Sequence, residues 1–125
     1  MQLLFYSSEA GPDRGRLEAV VRKVIPESQI GIFNQLEDFA ERLRRPVEPD
    51  SIAVLAVSNR AELQQMLLLR GLLPEIYVVL VIPDRKKKTV ELAHLLLPRF
   101  LIQKESDFAD LEIVLDKMYK NSNKS

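Results

Sequence analysis

The densest block of reactive side chains is Arg85-Lys86-Lys87-Lys88, four consecutive cations. Such a run can neutralise a phosphate or an acidic partner. Exposed charges are screened over about 8–10 Å, so a solvated loop is the simpler reading. Cations at the start of a helix oppose its dipole, however, and that placement keeps binding open. A second candidate is Tyr6-Ser7-Ser8-Glu9-Ala10-Gly11, where hydroxyls and amides ahead of a helix could cradle a phosphate. Pro12 removes one amide donor, Glu9 repels an anion, and the chain has no Trp to stack on a flat ring. An ordinary turn with a helix cap fits this segment better. His94 is the only histidine and has no metal-ligand partner at a useful spacing, so it reads as a boundary side chain. Glu9 and Asp13 could act as acid and base, but nothing around them in sequence would perturb their pKa values. Cysteine is absent, which excludes disulfides, thiol catalysis and Cys-based zinc sites. No catalytic constellation, metal site or cofactor is expected.

These residues need a scaffold, and the 125-residue chain is long enough to bury one core. The expected organisation is a single domain over residues 1–120 with a polar tail over 121–125. Hydrophobic residues make up 46% and charged residues 29%, an ordinary globular balance. Lys+Arg and Asp+Glu are equal at 18 each, so the basic surplus of a dedicated nucleic-acid binder is missing. The opening residues are too short and uncharged for a signal peptide, and no apolar run is long enough to span a bilayer. The expectation is a cytoplasmic protein with no membrane contact.

Five β-rich runs stand out: Leu3 to Tyr6, Gln29 to Phe33, Ile52 to Val57, Ile76 to Ile82, and Phe100 to Ile102. The third and fourth are almost continuously apolar, as parallel strands covered on both faces should be. The second carries Gly31 and Asn34 and reads as an edge. Helical periods fill the gaps. Leu17, Val20, Val21 and Val24 share one face; Leu36, Phe39, Ala40 and Leu43 share another. A third helix from Ala61 to Arg70 is expected to end on a Gly71 cap, with Asn59 and Glu62 spaced as a capping box at its start. The fourth covers Lys87 to Leu97 and stops at Pro98, and the fifth starts near Ser106 with a Phe108, Leu111, Val114, Leu115, Met118 stripe. Strict alternation predicts an α/β fold with a parallel sheet, helices on both faces and right-handed crossovers. Five strands favour the doubly wound order 2-1-3-4-5 over a barrel, which needs about twice this length.

Three segments carry a resemblance to a known family. Pro49-Asp50-Ser51-Ile52-Ala53-Val54-Leu55 is similar to the entry of a third strand in the receiver domain of two-component response regulators. Leu72-Leu73-Pro74-Glu75-Ile76-Tyr77-Val78-Val79 resembles that family's passage from third helix to fourth strand, and Arg99-Phe100-Leu101-Ile102-Gln103-Lys104 its fifth strand. The resemblance implies a three-layer, doubly wound, flavodoxin-like sheet in the order 2-1-3-4-5. It also implies where phosphorylation chemistry would sit, and here the sequence departs. The family's acidic pair falls on Ser7-Ser8-Glu9, with at best one carboxylate. The acceptor aspartate falls on Ala56 or Val57, and the switch hydroxyl on Val81 or Ile82. Only Lys104 matches, one residue out of register with Gln103. The resemblance is therefore to a degenerate pseudo-receiver.

The helix surfaces hold a further irregularity. On the fourth helix Val90, Ala93 and Leu97 form the expected core stripe, with Leu96 at its margin. Leu92 extends the stripe and Leu95 points away from it. Ile113 lies opposite the Phe108 stripe, and Leu68 and Leu69 are similarly misplaced on the third helix. Receivers pair through their fourth-helix, fifth-strand, fifth-helix face, so the resemblance makes Leu92, Leu95 and Ile113 candidates for a homodimer or partner interface. The leading expectation is a phosphorylation-independent regulatory protein working by protein–protein contact. The alternative is a small-anion or nucleotide site at the loop edge, built from Arg85, Lys86, Lys87, Lys88 and Lys104.

Overall fold

The computed structural model describes residues 2–8, 12–73, 76–103 and 108–122. Five strands alternate with five α-helices: β1 (Leu3–Ser7), α1 (Pro12–Val24), β2 (Ile30–Phe33), α2 (Leu36–Leu43), β3 (Ile52–Ala56), α3 (Arg60–Leu67), β4 (Tyr77–Ile82), α4 (Lys87–His94), β5 (Phe100–Gln103) and α5 (Ala109–Ser122). All strand pairs are parallel and the order is β2-β1-β3-β4-β5, as the alternation predicts.

Two cores sandwich the sheet because successive strand residues face opposite sides. On one side Leu4, Tyr6, Ala53, Leu55, Val78 and Leu80 meet Phe39 of α2, Leu63 and Met66 of α3, and Ala93 of α4. On the other, Leu3, Phe5, Ile52, Val54, Val79 and Val81 meet Leu17 and Val21 of α1 and Leu111 and Leu115 of α5. β1 and β3 are apolar at almost every position since both their faces are covered. Pro12 opens α1, where a missing N–H has no helical partner to lose.

Several local expectations shift. Gly71 is not a left-handed cap: no described glycine has a positive φ. Instead α3 tightens through the bonds Leu68 N–H to Gln65 O and Leu69 N–H to Met66 O, and Gly71 falls in a 3-10 turn, Arg70–Leu72. This rewinding packs Leu69 against the core and leaves Leu68 exposed. α4 also ends early. A proline disfavours helical geometry in the residue before it, so the chain leaves the helix ahead of Pro98. Leu97 takes a left-handed φ of 53° and is 85% exposed, while Leu96 turns inward in its place. Thr89 supplies a fully buried position on α4 that hydrophobicity alone does not mark. At the other end α5 runs through Ser122, so Asn121 and Ser122 belong to the helix rather than to a tail.

Candidate functional site

In a sheet of this order the chain leaves β1 and β3 toward opposite layers, and the crevice between their carboxyl ends is where ligands bind in related architectures. The register lines up Ser7, Ala56 and Val81 across the last rungs of β1, β3 and β4. Ala56 packs against one core, and Val57 is buried in the other with its N–H donated to Val81 O at 3.1 Å. Val81 and Ile82 are buried on opposite sides of the sheet. The strand ends at which the resemblance would place an acceptor and a switch hydroxyl are thus occupied by packed apolar side chains. Glu9 and Lys104 lie outside the described residues.

Among the described residues, Glu62 from the first turn of α3 brings a carboxylate to the crevice. Half of the expected capping box forms: Asn59 Oδ1 accepts the Glu62 N–H at 2.8 Å. The reciprocal half does not. Rather than return to the Asn59 amide, the Glu62 carboxylate accepts from the Ser58 N–H at 3.2 Å, the Ser58 hydroxyl at 3.2 Å and the Ser8 hydroxyl at 2.6 Å. Tyr6 lies beneath this group. Burial and then the Glu62 carboxylate push its phenol above the ordinary 10.0, opposed by a hydrogen bond with Ser8. One carboxylate therefore fastens the end of β1 to the β3–α3 loop.

A second set of bonds continues along the edge. Arg60 Nε donates to the buried Thr89 Oγ1 at 3.4 Å, linking the first turns of α3 and α4. Asp84 Oδ1 accepts the Lys86 N–H at 2.9 Å. That bond, a second one from Thr89 and the nearby Lys86 and Arg60 charges hold the Asp84 carboxyl below its ordinary value of 3.8. Arg85 Nε donates to Gln103 Oε1 at 3.2 Å at the end of β5. Sequence reasoning missed Thr89 and saw Glu62 only as a cap. The signals were present: Ser58 directly before the Asn59-to-Glu62 box, and a threonine in the first turn of a lysine-led helix.

The basic run is brought to the edge as expected, but it splits. Arg85 turns to β5, and Lys86 is the N-cap residue of α4 with no side-chain cap bond. Lys87 and Lys88 form the helix's first exposed turn, which contains no acidic residue. None of Lys86, Lys87 and Lys88 forms an ion pair with a described residue. His94 is exposed at the last position of α4, not at a boundary. Among the described residues no group of three or more His, Cys, Asp or Glu is placed to hold a metal ion.

No protein-family model matches the chain, and no curated protein does either.

The interface candidates are distributed differently from the sequence pattern. α4 covers one side of the sheet with α2 and α3, and α5 covers the other with α1. Leu95 and Ile113 therefore stand on opposite layers, 51% and 55% exposed, with the β5 edge between them. Leu92 is half-buried against the core and offers less outer surface. Leu97, at the turn between α4 and β5, is the larger apolar exposure. Beside β5 runs a cavity of about 180 Å³ lined by Arg85, Phe100, Gln103, Phe108 and Asp110 among others. No described helix is long and apolar enough to cross a membrane.

Proposed function

We propose that this chain is a receiver-like regulatory protein that works by protein–protein contact and not by aspartyl phosphorylation. The strand-end register carries the proposal: Ala56, Val57, Val81 and Ile82 stand packed and apolar where an acceptor and a switch hydroxyl would be needed. Glu62, already satisfied by Ser8 and Ser58, adds a fixed negative charge that disfavours an incoming phosphoryl group. It also weakens the reading of the crevice as an anion or nucleotide site. Contact is supported by Leu95, Leu97 and Ile113, large apolar side chains arranged around the β5 edge. Burying one such side chain is worth about 1.5–3 kcal/mol, enough for a few to anchor an interface. The proposal assigns no reaction and no resident cofactor.

Incubation with radiolabelled acetyl phosphate and magnesium should leave the protein unlabelled, and stable incorporation would sink the proposal. Sedimentation velocity over a concentration series should show self-association weakened by Ile113→Lys. A monomer throughout removes the homodimer and leaves a different protein as the partner.

A further inference from the structure

The contact reading leaves the chemistry of the partner open, and the outer face of α4 narrows it. Lys87 and Lys88 project from the first turn of this helix, where the unpaired backbone N–H groups already make a positive end. Neither lysine has an ion-pair partner among the described residues. The turn is nevertheless firmly placed, since Thr89 is buried and bonded to Arg60, and Asp84 holds the Lys86 amide. Seven residues beyond Lys88, two turns down the same helical stripe, is the exposed Leu95. Glu91, exposed on that stripe between Lys88 and Leu95, is the one acid of the helix against two lysines.

We infer that the outer face of α4 is a docking surface for an acidic segment of another protein that carries an apolar anchor, its carboxylates on Lys87 and Lys88 and its anchor on Leu95. The inference rests on the contact reading above. Charge complementarity selects the occupant. A second copy would present the same lysine-rich face, with Glu91 as the one carboxylate of its α4, and so would supply fewer carboxylates than an acidic segment. A nucleic acid gains nothing from Leu95, and the chain as a whole has equal numbers of cations and anions at 18 each. An acidic peptide with an apolar residue satisfies both features at once.

The test uses the full chain and a fluorescein-labelled peptide of glutamates interrupted by leucines, followed by fluorescence anisotropy at low and high salt. Binding should weaken with salt and fall roughly tenfold in the double variant Lys87→Gln, Lys88→Gln. Leu95→Ser should weaken it further, and a leucine-free polyglutamate should bind less well than the parent peptide. All three substituted residues are exposed, so circular dichroism and melting temperature should be unchanged, which excludes misfolding as the cause. Equal binding of polyglutamate, equal competition by duplex DNA or inorganic phosphate, or no binding at low salt would each overturn the inference. Such a failure is separable from failure of the contact reading, which is decided by acetyl phosphate labelling and by the Ile113→Lys sedimentation result.

Discussion

The carboxyl edge of the sheet and the outer surface of the helices that flank it are built on opposite terms. At the edge, Glu62 takes three donors, Asn59 takes the Glu62 amide, Thr89 takes Arg60, and Asp84 takes Lys86. Polar groups there find partners within the chain. On the outer surface Lys87 and Lys88 stand in the field of a helix dipole without ion pairs among the described residues, and Leu95, Leu97 and Ile113 remain in water. The contrast teaches where to look for function. The edge is a structural clasp, and the unmet interactions lie on the helices. Stable proteins carry single exposed leucines at little cost. Leu97 is different, because it combines exposure with a strained backbone.

The largest effect should come from opening the clasp. Glu62→Ala leaves the Ser8 and Ser58 donors without their acceptor and should cost about 1–2 kcal/mol, read as a lower urea midpoint at unchanged slope. Glu62→Gln keeps an acceptor oxygen and should cost less. An alanine variant as stable as the parent would erase the contrast, since the edge would then be no better satisfied than the helices.

Leu97 tests the other side. An L-residue in the left-handed region is strained by about 1–2 kcal/mol, and glycine relieves this at some cost in unfolded-state entropy. Leu97→Gly should therefore raise stability by about 0.5–1 kcal/mol while weakening any contact made by this turn. A stability gain with lost self-association would mark Leu97 as a residue whose strain is kept for binding. A stability loss would mean that the leucine stabilises the fold in spite of its exposure.

Much of this contrast was legible in residue order and much was not. Strand runs and layer alternation follow from hydrophobic periods, because each strand's burial is set by helices that periodicity also reveals, and the order of the sheet follows from the count of five βα units. The apolar ends of β3 and β4 were equally legible, since Ala56, Val57, Val81 and Ile82 are named by their place at strand ends. Two kinds of feature were hidden. Helix ends were misplaced where backbone rules overrode propensity: Pro98 shortened α4, exposed Leu97 and turned Leu96 inward, and the 3-10 winding after α3 buried Leu69 but not Leu68. Long-range polar bonds were hidden because nothing local signals them. Ser8 and Glu62 are 54 residues apart, and Arg60 and Thr89 are 29 apart, so only the parallel register brings them together. The crossovers that lay α4 on one face of the sheet and α5 on the other separated Leu95 from Ile113, which are neighbours by helix number.

The smallest effect concerns the junction of the two regions, where Asp84 belongs to the clasp and touches the basic turn. Its carboxyl is depressed first by the Lys86 N–H bond, next by Thr89, with the Lys86 and Arg60 charges behind these. A depressed folded pKa means that the unfolded chain binds the proton more readily. The Asp84 contribution is thus present above its ordinary value of 3.8 and is lost as pH falls through the folded value. Asp84→Asn keeps an oxygen for the Lys86 amide and removes only the charge, so it should flatten the acid limb of stability against pH slightly. The salt dependence of that difference decides which region Asp84 serves. If hydrogen bonds dominate, high salt leaves most of the slope intact and the lysines stay uncompensated. If salt abolishes the slope, Asp84 is neutralising the basic turn, and the cations of α4 are less available to an acidic partner than their lack of ion pairs implies.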